Sequence, residues 1–275
     1  MRLRISHRTI YRYDPPASGL IQVLRLTPGN HDGQYIAGWQ IDVSTDSHLS
    51  QRQDAFGNIT HHFTVDTSLS ELVVHVEGQI ETQDTGGILR GTIEHFPPSL
   101  YLRATPLTQA DDAMADFAKT IAGRMQGHVL DTLHALMQEL HAHVTFDTDP
   151  THTGTFAHEA FALGRGVCQD YAHIFIGCAR AAGIPARFAA GHFLRADGIV
   201  HQDAGHAWAE AYVPDLGWVG FDAANHICVN EAHARVAIGL DYLGAAPVRG
   251  ARFGGGTETL AVAVKVDQAG RQTQA

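Results

Sequence analysis

Cysteine is scarce in this chain, and it has neither a long apolar run nor a block of like charge. The three cysteines in 275 residues, Cys168, Cys178 and Cys228, cannot all pair within one chain and do not form a disulfide framework. The net charge of −10, with no Lys/Arg run against it, argues against the basic footprint that nucleic acid or an anionic membrane requires. No stretch approaches the roughly 18 apolar residues of a membrane span. The N-terminus, Met1-Arg2-Leu3-Arg4-Ile5-Ser6-His7-Arg8, alternates and lacks the continuous apolar segment of a signal peptide. These absences set the expectation of a cytoplasmic protein with reduced thiols and with no nucleic-acid or membrane partner.

The composition that remains is that of an ordinary globular protein, 44% apolar and 17% charged, so a core can form without staples. The length suggests about two domains. Up to about residue 82 the chain reads as short alternating strands: Leu3 and Ile5, Ile10–Tyr13, Leu20–Leu26, Trp39–Val43, Ile59–Val65, then Leu72, Val74 and Val76. Turn signals such as Phe56-Gly57-Asn58 separate them, which predicts a β-sandwich over residues 1–105. No acid, base or nucleophile cluster falls there, so a scaffold or substrate-facing role is expected. From Thr108 the period becomes helical, with Val129, Leu133, Leu136, Met137 and Leu140 on one face. Short helices are expected at Ala157–Leu163, stopped by Gly164, and from Cys168 to Ala182, stopped by Gly183. Strands follow at 186–194, 205–213 and 217–221. Residues 106–245 thus predict an α+β unit, and 246–275 a Gly-rich connector, Gly254-Gly255-Gly256, before a last strand that rejoins a sheet.

Three reactive residue types stand in order inside the α+β unit: Cys168, His206 and Asp222. A thiolate, not a thiol, is the nucleophile, and a helix that begins at Cys168 places sulfur by unpaired N–H groups and the positive end of the helix dipole. A neighbouring histidine completes the activation and can later protonate a leaving amine. Asp222 can orient the imidazole. Strand parity imposes a test. A three-residue loop, Pro214-Asp215-Leu216, pairs Val213 with Gly217, sets Trp208 opposite Asp222, and leaves His206 diagonal to Asp222 at roughly 7–8 Å between backbones. A loop of even length puts them on opposite faces. One oxyanion donor is expected from the N–H of Cys168.

These residues also carry a resemblance. Gly166-Val167-Cys168-Gln169-Asp170-Tyr171-Ala172, then Gly191-His192-Phe193, His206-Ala207-Trp208-Ala209-Glu210 and Gly217-Trp218-Val219-Gly220-Phe221-Asp222 resemble the transglutaminase-like core of the papain-like cysteine hydrolase fold. Tyr11-Arg12-Tyr13 and Asp54-Ala55-Phe56-Gly57-Asn58 are similar to the β-rich domain before that core in bacterial members. The resemblance implies an α+β fold with an N-terminal all-β sandwich followed by a papain-like, transglutaminase-like catalytic core. It also implies Cys168, His206 and Asp222 as nucleophile, base and orienting acid, no cofactor, and a peptide or protein substrate handled through a thioester acyl-enzyme. Two departures stand out. The tryptophan upstream of the nucleophile, an oxyanion device in animal transglutaminases, has only Trp39 as counterpart, in the other domain. The Arg-Asp-Tyr element of bacterial relatives is Leu240-Asp241-Tyr242 here. No acidic loop has calcium-ligand spacing.

Gln169, His192, Trp208 and Glu210 are further candidates for lining or supporting the site. Beside each stands a plainer role: core packing for Trp208 and Trp218, a salt bridge for Glu210. Cys178 lies about 280° round the helix from Cys168 and, with Cys228, reads as structural. Among the 19 histidines, His141 and His143 with Asp147, and His61 with His62, lack the spacing of a strong zinc motif, so no metal is expected. The expected activity is amide hydrolysis through a cysteine acyl-enzyme. Acyl transfer to an amine is the alternative within the class, and a non-catalytic peptide-binding module the alternative outside it.

Overall fold

The structure is a computed structural model that describes residues 1–270. Six strands open the chain: β1 (Arg2–Ala17), β2 (Gly19–Thr27), β3 (Gln34–Val43), β4 (Ser50–Gln53), β5 (Ile59–Val65) and β6 (Leu69–Thr82). A short strand, β7 (Ile88–Leu89), precedes the helices α1 (Asp112–Arg124) and α2 (Val129–His143). Then come β8 (Thr145–Phe146), α3 (Ala157–Leu163), β9 (Arg165–Gly166) and α4 (Cys168–Ala181). The remaining elements are β10 (Ala186–Phe193), β11 (His201–Gln202), β12 (His206–Val213), β13 (Gly217–Asp222), β14 (Ile227–Cys228), β15 (His233–Gly239), α5 (Tyr242–Ala245), β16 (Val248–Phe253) and β17 (Thr257–Gln268).

The first strands form a sandwich because their alternation has two wet faces and one dry interior. One sheet has the order β11-β17-β1-β6-β3 and the other β16-β2-β5-β4. Leu20, Leu24 and Phe63 from one meet Tyr13, Leu72, Val74 and Val76 from the other. At the far end of β1, Leu3 and Ile5 pack with Ile80, Val264, Val266 and Ala234, the last of which belongs to β15. The sandwich core therefore runs on into the α+β unit.

The C-terminal segment differs from a connector plus one strand. Val248–Phe253 forms β16 and pairs with β2, and the three glycines make the turn into β17, which pairs with β1 along twelve residues. Arg249, Gly250 and Arg252 gave β16 no apolar alternation; its place on an edge rests on backbone hydrogen bonds. Strand β15 was likewise absent from the expected elements.

The sheet of the α+β unit has the order β14-β13-β12-β10-β15, with β7 on β13. Strand β12 explains how α4 reaches it. Ala207, Ala209 and Ala211 face the helix and form one core with Ala172, Phe175 and Ala179 of α4. Small side chains at every second position let the helix approach closely, and the bulky and polar residues His206, Trp208, Glu210 and Tyr212 fall on the opposite face.

β15 is an edge strand, and the sandwich closes that edge with two side-chain amides. Gln34 Nε2 donates to the Arg235 carbonyl (2.9 Å) and its Oε1 accepts from the Arg235 N–H (2.8 Å). Asn58 repeats the device on Ile238, donating to its carbonyl and accepting from its N–H, both at 2.8 Å. Both amides are buried. Asp54 holds Asn58 in place, accepting from its backbone N–H and its side chain (both 3.0 Å) while pairing with Arg25 Nε at 3.0 Å. The Asp54–Asn58 stretch is thus a docking loop as well as a turn.

Replacing Asn58 with Leu strands the N–H and carbonyl of Ile238 inside the interface. The expected outcome is a loss of about 2–4 kcal/mol in urea unfolding, since each buried unpaired group costs about 1–3 kcal/mol. An unchanged midpoint would mean that the clamp contributes nothing net.

Candidate active site

Cys168 is the first residue of α4, and Val167 stands at the N-cap in extended conformation. Its N–H therefore belongs to the first turn, whose donors have no partner within the helix. The loop that delivers it is tied down by Asp170, whose Oδ2 accepts from the Val167 N–H (2.8 Å) and from Thr151 Oγ1 (2.7 Å). Burial pushes the Asp170 carboxyl up from its usual range, against these two donors. Position 166 must be glycine for this, because a Cβ there would lie 2.6 Å from Asp170 Oδ2.

The parity condition for His206 and Asp222 is met. Val213 pairs with Gly217 across the three-residue loop, and Ala209 with Phe221, so the register sets Trp208 opposite Asp222. His206 Nε2 lies 2.6 Å from Asp222 Oδ2. With Nε2 engaged there, Nδ1 is the nitrogen left free, and Cys168 is close enough for its charge to act on the imidazole. Burial works against a charge on His206. The Asp222 carboxylate and its hydrogen bond overcome this, with a smaller push from Cys168, and raise His206 to about 10.

Asp222 has no exposure, and its charge is balanced by more groups than His206. Asn225 donates through Nδ2 to Oδ2 (2.7 Å) and through its backbone N–H to Oδ1 (3.2 Å). His233, at the start of β15, places Nε2 3.1 Å from the same Oδ2. Burial disfavours the charged carboxylate, yet the two histidines hold it well below the usual range. Neither Asn225 nor His233 was among the expected site residues. Asn225 sits three residues past Asp222 in a turn, a position from which asparagine reaches back. No local pattern marks His233, since its partner is eleven residues away on another strand.

His206, Asp222 and His233 also make up a two-histidine, one-carboxylate set whose ligand atoms lie within 4.8 Å of one another. Ligand atoms around a tetrahedral zinc stand about 3.3 Å apart, as bonds of about 2.0 Å require. The 2.6 Å and 3.1 Å separations here are those of proton-sharing pairs, so the arrangement is a hydrogen-bond network and does not fit a metal as it stands. His141 and His143 are not brought together: their nitrogens bond the carbonyls of Ala223 and Phe161, and Asp147 pairs with Arg165.

The other expected residues separate. Gln169 follows Cys168 and donates to the Thr153 carbonyl at 3.3 Å. His192 is buried, with its ring 5.4 Å edge-on from His7 of β1, and its neighbour Gly191 pairs with His206. Trp208 is a core aromatic against His233, ring centroids 5.3 Å apart. Glu210 does not touch the imidazole and lies in a buried ion pair. Its carboxylate joins Arg187 Nε (2.7 Å) and Arg235 Nε (2.6 Å), and Arg187 also reaches Glu94. Burial opposes that charge, and the two guanidinium groups bring Glu210 down to about 2. Trp218 stacks under Arg187 at 3.9 Å. Cys178 is enclosed, and burial pushes its thiol up to about 12. Trp39 donates to the Leu26 carbonyl within the sandwich. At Leu240 the backbone is used instead of a charge: its carbonyl accepts from Arg180 Nη2 at 2.7 Å.

Comparison with known proteins places the fold. Residues 3–81 match the bacterial transglutaminase-like N-terminal region, and residues 115–223 match the transglutaminase-like superfamily core. An uncharacterised protein of Mycobacterium leprae is 27% identical over 96% of this chain and 98% of its own length. A protein-glutamine gamma-glutamyltransferase of Pseudomonas aeruginosa is 33% identical over 44% of this chain and 20% of its own. The structure of a candidate cysteine protease from Cytophaga hutchinsonii superposes with a TM-score of 0.80 over 100% of this chain and 92% of that one, at 18% identity, and so shares the fold.

The His206 proton is bound more tightly in the folded chain (about 10) than at its ordinary value of 6.5. Its contribution to stability is complete below pH 6.5 and is lost as pH rises through 10. In Asp222→Ala the main cause of the rise is gone while burial remains. The His206 titration, followed by NMR of the imidazole carbons, is expected to fall toward or below 6.5. A titration that stays near 10 would show that Asp222 does not hold the proton.

Proposed function

We propose that this chain, which belongs to the transglutaminase-like superfamily, is a thiol-dependent hydrolase of amide bonds in a peptide or protein substrate. The observation that carries the reading is the 2.6 Å His206–Asp222 bond next to a cysteine that opens a helix. In this proposal the Cys168 sulfur, as thiolate, attacks the carbonyl carbon. The carbon–nitrogen bond then breaks, His206 gives its Nδ1 proton to the departing amine, and a thioester remains on sulfur. His206, now neutral, takes a proton from water as the water oxygen attacks the thioester, and the acid departs as sulfur and imidazolium are restored. The N–H of Cys168 supplies one donor to the oxyanion. Asp222 stays ionised throughout and holds the imidazole by Nε2.

Acyl transfer to an amine is the second reading, favoured by the partial likeness to a protein-glutamine gamma-glutamyltransferase. Water is preferred as acceptor because it needs no binding site of its own. The test is a screen of peptide amides with wild type and Cys168→Ala, each run with and without a fluorescent primary amine. Hydrolysis is expected in wild type, and a loss of roughly 10³-fold or more in the variant, as for other nucleophile deletions. Faster incorporation of the amine than release of acid would replace the hydrolase reading by the transferase one. Equal turnover by Cys168→Ala would remove both.

A further inference from the structure

The groups packed round the candidate triad include a histidine that the proposed reaction does not use. We propose that His233 is a positioning residue for Asp222, delivered to the site by a strand that the N-terminal sandwich holds in place. This inference rests on the reading of Cys168, His206 and Asp222 as the reacting set.

Three observations carry it. First, His233 Nε2 approaches the same Oδ2 that His206 uses, at 3.1 Å, and it comes from a different strand than either triad partner. Asn225, by contrast, is tethered to Asp222 by three residues of chain and moves with it. His233 is therefore the donor that fixes the carboxylate relative to the rest of the sheet.

Second, its donating nitrogen is set by the carboxylate it faces. An ionised Asp222 can only accept, so the ring proton toward it sits on Nε2, while Nδ1 lies 3.2 Å from both the N–H and the Oδ1 of Asn230. Burial, the main cause, pulls His233 below its ordinary value, against the attraction of Asp222. It thus donates as a neutral imidazole and does not compete with His206 as a second cation.

Third, the ring and its strand are immobilised. Phe193 lies 4.7 Å from the His233 ring and Trp208 packs against it at 5.3 Å. Two residues on, both backbone groups of Arg235 are bound by the Gln34 amide of the sandwich. A sandwich with no reactive group of its own is in this way linked to the carboxylate of the site through Gln34, β15 and His233.

The experiment uses iodoacetamide as probe, with alkylation at pH 7 read peptide by peptide in the full chain, and half-buried Cys228 as internal reference. His233→Leu removes the donor. His233→Gln keeps an N–H donor at similar reach. His233→Asn keeps the chemistry but shortens the reach, and serves where the Leu variant does not fold. The Leu and Asn variants are expected to alkylate Cys168 about tenfold more slowly, below the roughly hundredfold that a 1 Å misplacement can cost. His233→Gln is expected to recover most of the wild-type rate, with Cys228 unchanged in all. A merely structural histidine would lower the melting temperature and leave the Cys168 to Cys228 ratio alone. The proposal fails if folded Leu or Asn variants alkylate Cys168 at the wild-type rate, or if Gln is as slow as they are. If wild-type Cys168 reacts no faster than Cys228, the nucleophile reading itself fails, which is a separate result.

Discussion

A carboxylate with no exposure to water is the constraint round which this structure is arranged. An ion removed from solvent costs several kcal/mol unless donors replace its hydration. Asp222 recovers them from His206, from the side chain and backbone of Asn225, and from His233. Those donors come from β12, from the turn after β13 and from β15, so three parts of one sheet must hold their register for the charge to survive. A slip of one residue between β12 and β13 would turn His206 to the helix face and leave Asp222 buried without its chief partner. The register that makes the site possible is thus also one that the fold cannot easily lose.

The face of the sheet opposite α4 continues the same logic. Along β12, His206 is followed by Trp208, Glu210 and Tyr212, and the charge on Glu210 is met by Arg187 and Arg235. Arg187 is completely buried and takes a second carboxylate, Glu94, from the segment that links the sandwich to the helices. This polar layer needs a lid, and the sandwich and the linking segment supply it. Gln34 and Asn58 close the edge of β15, Thr82 donates to the Glu231 carbonyl at 2.6 Å, and β7 pairs with β13. The N-terminal region contributes no group to the candidate site and nonetheless completes the sheet that carries it.

What could be read from the residues alone follows from how far apart the interacting groups lie. Helix α3 and the start of α4 were legible because Gly164 and the cysteine motif are local signals, and Gly164 takes the left-handed conformation its role requires. The diagonal of His206 and Asp222 was legible because one short loop sets the parity of two strands. His233 was not, because its partner is reached only through the pairing of β10 with β15, which no short-range pattern encodes. β16 escaped notice for a related reason: an edge strand held by backbone bonds needs no apolar alternation. For Glu210 the face assignment left a supporting role and a salt bridge open, and buried Arg187 with partly exposed Arg235 makes it the salt bridge.

The charge state of His206 bears on the proposed chemistry. A proton held to about 10 makes His206 an imidazolium at neutral pH. In the proposed reaction the return of that proton to the leaving nitrogen falls to an imidazole that Asp222 holds well above its ordinary value. Once the amine has left, the same carboxylate makes the neutral imidazole a strong base. That base can deprotonate water as well as an incoming amine. In the proposed reaction the buried Asp222 therefore sets the acid–base strength of His206 and says nothing of the acceptor, whose selection falls to the surface round Cys168.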